Sequence, residues 1–220
     1  MDAIECIRTR RSIRGFKPQP VPKEILHEIL ETAVWSPSYK NSQPWEVIIL
    51  SGRKKEELSD MLVGLFEKGT PTCPDIPEPT VWPEAENARI ADLYRRRAEA
   101  SGIRLDDPEL LKKAKIANFR FYRAPHAVYL FQDASLTPWS LFDLGLFAQS
   151  LMLSAHARGI GTVPQAFATD YAQDVKRFLY IPETKRLILG MSIGYADPGS
   201  PANAFRTHRV DISEIVKWVE

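Results

Sequence analysis

Apolar residues recur along this 220-residue chain with two different periods. In PKEILHEILETAVW (22–35), Ile25, Leu26, Ile29, Leu30 and Ala33 share one face of a 3.6-residue repeat, with Pro22 and acids near its start. This spacing predicts an amphipathic helix. WEVIILS (45–51) is a short unbroken apolar run, which predicts a strand buried on both faces. Residues 2–9 and 53–68 read as further helices, and so do AENARIADLYRRRAEA (85–100) and DPELLKKAKIANFRFY (107–122). Asp107 and Pro108 have the order of an N-cap followed by a first-turn proline. HAVYLFQD (126–133) and KRLILGMSIGYA (185–196) read as strands, IGTVPQAF (160–167) as extended chain, and DYAQDVKRFLYI (170–181) as a helix. DISEIVKWV (211–219) predicts a short final helix. The segment 138–158 is apolar on nearly every side, the pattern of a helix enclosed within a domain or between subunits.

Proline and glycine punctuate these elements. GTPTCPDIPEPTVWP (69–83) cannot enter helix or sheet interiors and predicts a loop or mobile flap. SPSYKNSQP (36–44) is a turn-rich break. The resulting order is an α+β arrangement with more helix than sheet. The pattern argues against a standard doubly wound dinucleotide fold, because no GxGxxG follows a first strand and GIGTVP runs into Pro164.

Composition adds boundaries. The length suits one sizeable core. A net charge of +1 gives no general attraction to nucleic acid or membrane. Cys6 and Cys73 form neither a disulfide framework nor a zinc motif. No apolar run approaches ~20 residues, so the chain reads as soluble and cytoplasmic. His27, His126, His156 and His208 are scattered without metal spacing, and no metal site is expected. No GxSxG, HExxH or Cys/His pair marks a nucleophile.

Against that neutral background, RTRRSIRGFKPQPVP (8–22) concentrates four arginines and a lysine without an acid. Guanidinium forks match phosphate oxygens and Ser12 adds a short donor. In an extended segment Arg10, Ser12 and Arg14 would face one way, leaving Arg11 to reach the same ligand from a turn or to pair elsewhere. A solvated basic face and an anion site both fit the composition. The second polar stretch, SPSYKNSQPW (36–45), offers Ser38, Asn41, Ser42 and Gln43 on a loop leading into a strand. Asn and Gln donate and accept together, as a polar heteroaromatic ring requires.

Taken together, RRSIR (10–14) and PSYKNSQPW (37–45) resemble the paired motifs of the FMN-dependent nitroreductase family. The resemblance continues through the strand and long apolar helix to GIGTVPQ, LILGMSIGYADP and NAFRTHR, and so covers nearly the whole chain. It implies an α+β fold with a central mixed or antiparallel sheet flanked by helices, forming one domain over 1–220. It also implies an intertwined homodimer with two FMN sites at its interface. Residues of roughly 68–124 resemble the insertion that covers the flavin in some members. By the same resemblance, Arg10, Arg11, Ser12 and Arg14 hold the phosphate and the pyrimidine side of the flavin, Arg209 closes on the phosphate, and Arg206 helps. Pro37, Ser38, Tyr39 and Asn41 come from the partner subunit. Pro164, Gln165 and Ala166 run beside the isoalloxazine, where a backbone N–H can reach N5. Many members have Glu-Gly there, and this chain has Gln165-Ala166.

The implied activity is NAD(P)H-dependent reduction of nitroaromatics, quinones or other flat acceptors by a ping-pong flavin mechanism, with no catalytic side chain because flavin N5 carries the hydride. FMN is expected over FAD, since no second phosphate cradle is visible. A reductive dehalogenase or specialised dehydrogenase of the same fold, and a non-catalytic flavin-binding sensor, are the alternatives. His208 lies between Arg206 and Arg209, within reach of a phosphate. Phe66, Trp82, Tyr94, Phe119, Phe121, Tyr122 and Trp139 are candidate pocket-lining residues, each equally readable as core. YRRRAEASGIR (94–104) is a second basic run, balanced by Glu99, Asp106 and Asp107.

Overall fold

The sheet is built around β2 (His126–Asp133), the strand with the strongest apolar run. The computed structural model describes residues 1–101 and 107–220, so Arg104 and Asp106 of the second basic run lie outside the described residues. β1 (Glu46–Ser51) pairs with one side of β2, and β4 (Lys185–Tyr195) with the other. β3 (Ile160–Gln165) pairs with the far side of β4, giving the order β1-β2-β4-β3. All three pairings are antiparallel. The parallel component is a single bridge, Ser12 to Thr162.

Successive side chains of β2 point to opposite faces, and each face meets its own apolar layer. Val128 and Leu130, with Met191 and Ile193, pack against α2 (Lys23–Ala33) and α6 (Trp139–Ala157) through Leu26, Ile29, Phe147 and Leu151. Ala127, Tyr129 and Phe131, with Leu187, pack on the opposite side. Their partners there are α3 (Gly52–Glu67), α5 (Pro108–Phe119) and α7 (Ala172–Leu179), through Leu58, Leu62, Phe119 and Val175. Fully burying one such side chain contributes about 1.5–3 kcal/mol. Phe119 and Phe121 are wholly buried here and Phe66 packs on the same cluster, so all three are core residues and not pocket walls.

Three expectations change. The run in β1 suggested burial on both faces. β1 is an edge strand, and only its Leu50 is buried. The same apolar-run signal was better placed in β2. The segment 69–83 is a loop as its prolines require, but it is tied down. Asp75 accepts from the Lys176 ammonium at 2.9 Å and from the Leu187 N–H at 2.7 Å, and the Cys73 N–H reaches the Asp170 carbonyl at 2.7 Å. The final helix is one 3₁₀ turn, Ile212–Glu214, started by a capping box between Asp211 and Glu214. Beyond it Ile215, Val216, Trp218 and Val219 are exposed. A nucleated turn does not propagate without an apolar surface on which to lay its face. The sheet is antiparallel apart from the bridge at Ser12, as the resemblance allowed.

Pro164 sits within β3 because β3 is an edge. Thr162 turns its carbonyl outward, where it accepts from the Ile13 N–H at 3.0 Å. Two residues on, Pro164 faces the same open side, so its missing N–H breaks no bond to β4.

His126, at the start of β2, is buried. Its Nε2 accepts from the Val21 N–H at 2.9 Å, which fixes the proton on Nδ1, facing Ser51 Oγ at 2.5 Å. Burial, opposed by the Val21 bond and reinforced by Lys55, lowers its pKa. The unfolded chain therefore binds more protons below about pH 6.5, and stability falls as pH drops from there toward the folded pKa. His126→Gln should flatten the dependence of Tm on pH below about 6.5, while lowering Tm at pH 8. Calorimetry across that range checks both effects, and an unchanged slope would clear His126 of the role.

Candidate functional site

The basic stretch leaves α1 (Ala3–Thr9) at Arg10, where the backbone turns from helical to extended. The short helix is held at its start by Asp2, whose side chain accepts from the Glu5 N–H at 2.9 Å. Its Cys6 is buried beside α6. The extended arm then runs along the open edge of β3. Ile13 inserts into a small cluster with Phe16, Ala124 and Val163, so Ser12 and Arg14 point the other way. Gly161 makes room for this arrangement. A Cβ there would lie 2.8 Å from Ile13 Cγ1.

Asn203 fastens the arm from its other side. Its Oδ1 accepts from the N–H groups of Arg14 and Gly15 at 2.8 and 3.1 Å. Its Nδ2 donates to the carbonyls of Gly15 and Asp197 at 2.8 and 2.9 Å. The Asn203 carbonyl accepts from Arg11 at 2.8 Å, so Arg11 pairs within the protein. Sequence reasoning passes over Asn203. One buried Asn inside an exposed polar loop carries no sequence signal beyond its proximity to the Arg206–Arg209 run.

The charges converge without neutralising one another. Burial, and after it the nearby Arg209 cation, lowers the pKa of Arg10. Burial and then the Arg10 and Arg11 cations lower that of His156, against a small opposing pull from Glu5. The Arg14 Nε is buried and has no hydrogen-bond partner. Among the described residues no carboxylate pairs with Arg10, Arg11, Arg14 or Arg209. Desolvated cations crowded in this way favour an anion between them. A cavity of about 270 Å³ opens here, walled by Arg10, Arg11, His156, Gly159, Gly161 and Thr162. His156 also meets Thr9 Oγ1 at 2.8 Å and so is a packed residue at the rim.

The C-terminal segment contributes unevenly. Arg209 curls onto Thr207 Oγ1 and the His208 carbonyl, at 2.8 and 2.9 Å. It lines a second cavity of about 590 Å³ between α4 (Glu84–Ser101) and residues 205–214. His208 is engaged by Arg96 and by Asp92 of α4. Arg206 is exposed and lines neither cavity.

The second motif is held elsewhere. The Tyr39 N–H donates to the buried Asp143 carboxylate of α6 at 3.0 Å, and Trp45 stacks on Phe147 of the same helix at 4.9 Å. Gln43 folds back on the loop through Ser38 Oγ and the Asn41 carbonyl. Lys40, Asn41 and Gln43 all adopt positive φ, a backbone state that costs about 1–3 kcal/mol for each non-glycine residue. Pro37, Ser38, Tyr39 and Asn41 thus stand together on α6, and among the described residues their hydrogen bonds go to that helix and within the loop.

Pro164 and Ala166 are exposed on the β3 edge beside the arm, whereas Gln165 between them is buried. Its amide bonds Ser192 Oγ at 2.5 Å and the Asn118 carbonyl at 2.9 Å. Only its backbone is free to meet a ligand, and a Glu side chain there would put a charge into the core. No group of three or more His, Cys, Asp or Glu positioned for a metal exists among the described residues. No described helix is long and apolar enough to cross a membrane.

The model of the nitroreductase family matches residues 7–195. The chain belongs to that family. It is 35% identical to nitroreductase NfnB of Mycolicibacterium smegmatis over 98% of this chain and 92% of that protein. The crystal structure of the FMN-dependent nitroreductase NfnB from Mycobacterium smegmatis in complex with NADPH superposes with a TM-score of 0.95, at 34% identity and covering 99% of this chain and 98% of that one. The FMN and NADPH-dependent nitroreductase NfnB from Sphigopyxis sp. strain HMH superposes at 0.96 with 26% identity, covering all of both chains.

Gly161→Val should push Ile13 out of its cluster and loosen the arm. Overpacking of this kind costs about 1–3 kcal/mol. Amide exchange at Ile13, whose N–H bonds Thr162, should accelerate while β2 amides stay protected. Unaltered protection at Ile13 would show that the arm does not depend on this glycine.

Proposed function

We propose that this protein is an FMN-dependent oxidoreductase that takes electrons from NADH or NADPH and passes them to nitroaromatic, quinone or related flat acceptors. The observation that carries this reading is the uncompensated guanidinium cluster, with its buried, unpartnered Arg14 Nε, on the edge of β3. FMN suits that site chemically, for it has one phosphate for the Arg10/Arg209 pair and a polar pyrimidine edge for Ser12 and Arg14. When bound, FMN supplies the redox chemistry, and the protein supplies binding, orientation and charge.

In this reading Arg10 and Arg209 neutralise the phosphate, with Arg11 bracing the Asn203 loop and Arg206 assisting from solvent. Ser12 and Arg14 take the pyrimidine side. The backbone of Pro164, Gln165 and Ala166 flanks the ring, with Gln165 anchored in the core so that this edge stays rigid. No side chain acts as a nucleophile or general base. The segment 68–124 is an insertion in the single domain, fixed at Asp75 and Phe119, and its α4 overhangs the arm.

The same reading makes the protein a homodimer, with Pro37, Ser38, Tyr39 and Asn41 completing the partner's site. The support is an apolar face that a single chain leaves open. Trp35, Trp139 and Phe142 are 88, 67 and 68% exposed, and Tyr39 stacks on Trp139 at 6.2 Å. Large exposed apolar patches mark interfaces. The exposed C-terminal Ile215, Trp218 and Val219 would wrap the second copy.

Cofactor released by heat should co-elute with FMN, and reduction of nitroarenes should require NADH or NADPH. Arg209→Ala should weaken FMN binding about ten- to a hundredfold, the worth of one charge-assisted contact. Release of FAD, or protein that takes up no flavin on reconstitution, would refute the cofactor assignment. Unchanged FMN affinity in Arg209→Ala would move the phosphate role to another residue.

Because FMN would bind only the dimer, added FMN should suppress dissociation on dilution. A mixed dimer of Arg14→Glu and Asn41→Asp chains should place both defects in one site and neither in the other. About half the wild-type flavin occupancy should then remain, whereas equal damage at both sites would place the two motifs within one chain.

A further inference from the structure

The C-terminal end of α6 meets the basic arm at His156, a residue to which the flavin-dependent reading gives no part. The Gly159 N–H closes the helix on the His156 carbonyl at 3.0 Å, which fixes where the imidazole stands. The imidazole lines the cavity of about 270 Å³ together with Arg10, Arg11, Gly159 and Gly161, and Met1 borders the same space. Its Nε2 lies 2.8 Å from Thr9 Oγ1. Thr9 has one hydroxyl proton, and the 2.7 Å contact with the Glu5 carbonyl uses it. Nε2 is therefore the donor to Thr9, and in the neutral imidazole Nδ1 carries the free lone pair. Among the described residues Nδ1 has no hydrogen-bond partner.

We propose that His156 is a proton-linked ligand of the FMN phosphate: Nδ1 takes a proton from solvent as the phosphate enters beside Arg10, so that cofactor affinity rises as pH falls toward neutrality. This rests on the flavin-dependent reading above. The charged groups that act on the imidazole are Arg10 and Arg11 of the arm and Glu5 of α1. On its own helix end, Arg158 turns away to Glu28 and Ser154. Without an anion, burial and then the two arginines favour the neutral imidazole, with Glu5 opposing them. A phosphate monoester brings a charge of about −1.5 to −2, which offsets both arginines. What then remains is Glu5 and the negative end of α6, in whose last turn His156 stands. A cation is stabilised at that position. Phosphate entry thus reverses the balance of charge about the imidazole and raises the affinity of Nδ1 for a proton. The phosphate is not the group protonated, because the arginines around it favour its fully ionised form.

The test dilutes wild-type and His156→Gln holoprotein across about pH 6.5 to 8.5, above the second phosphate pKa near ~6. Free FMN is read by its fluorescence, which gives Kd at each pH. Calorimetric titration of the full-length, flavin-stripped protein near neutral pH, in two buffers of different ionisation enthalpy, counts the protons taken up. FMN is compared there with riboflavin, which lacks the phosphate. In wild type the Kd for FMN should rise with pH by up to about tenfold per pH unit, the slope of one linked proton. FMN binding should carry net proton uptake, and riboflavin binding none. His156→Gln should bind FMN within about twofold of wild type at the alkaline end, where the imidazole is neutral in both states, and should lose the slope and the uptake. A flat wild-type profile without proton uptake sinks the linkage alone, and that measurement depends on no variant folding. Retention of the wild-type slope in His156→Gln would overturn the proposal by passing the proton to another group, such as the Met1 amine. Equal uptake with riboflavin would overturn it by removing the phosphate from the linkage. Wild type that binds no flavin sinks the flavin reading and the linkage with it.

Discussion

The arrangement at this site depends on a clamp that carries no charge. Asn203 holds the basic arm through three side-chain hydrogen bonds to its backbone and ties it by a fourth to the Asp197 carbonyl, so that every donor and acceptor position of its amide is used or shared. An aspartate there could accept the Arg14 and Gly15 N–H bonds but not donate to Gly15 and Asp197. It would also neutralise a neighbouring guanidinium. With asparagine, the backbone is fixed and the positive potential of Arg10, Arg14 and Arg209 remains for a ligand. Cations close together in a half-buried site are costly, and the cost is carried by packing elsewhere: Ile13 in its pocket under Gly161, and Gly15 against Ser200, where a Cβ would lie 2.0 Å from the hydroxyl.

Strain gathers where the chain must present side chains against local preference. The described residues with positive φ other than glycine fall in two runs, 40–43 and 121–123, with Tyr180 as an ordinary helix terminator. Aromatic residues rarely adopt this conformation. Phe121 accepts it because its ring is fully enclosed beside Tyr129, edge to face at 6.0 Å. The consequence is that Tyr122 leaves the layer of Phe121 and packs on the smaller cluster of Ile13, Phe16, Ala124 and Val163. In the other run, Trp45 stacked on Phe147 anchors one end of the loop and Asp143 the other. Both strained turns are thus supported by the two main apolar layers, one from each side of the sheet.

Periodicity made the elements legible because each helix and strand buries a face. It reads α2, β2, β4 and α7 closely, and the proline-rich segment as loop. It could not rank the strands: the apolar runs of β1 and β2 are similar, and only the order β1-β2-β4-β3 decides which is central. It left Phe119 and Phe121 readable either as pocket walls or as core, since an aromatic in a helix-to-strand connection has the same sequence appearance in either place. The motif residues were legible as types. Arg10 and Arg209 come together across the whole length of the chain, a juxtaposition that only the fold creates. Asn203 and the inward turn of Gln165 were not legible at all, because their roles are hydrogen bonds to backbone atoms remote in sequence.

The helix α6 ties these observations to assembly. Its inner side supplies Leu144, Phe147, Leu151 and Ala155 to the core, while Trp139, Phe142 and Leu146 stand in the open. A helix hydrophobic all round is stable in water only when both sides are covered. The uncovered side also carries the strained 39–43 loop, fastened to it by Asp143. A strained polar loop on an open apolar helix has little reason to persist in an isolated chain, where nothing rewards the backbone cost. Covered by a second subunit, the same loop would be held from two directions and its polar groups would face whatever lies across the interface. In the proposed assembly the apolar helix supplies the association energy, the loop converts association into site completion, and the uncharged clamp at Asn203 keeps the opposing arginines available. Loss of the interface would then appear first as loss of ligand affinity, before any loss of the sheet, because β2 and β4 draw their stability from layers within one chain.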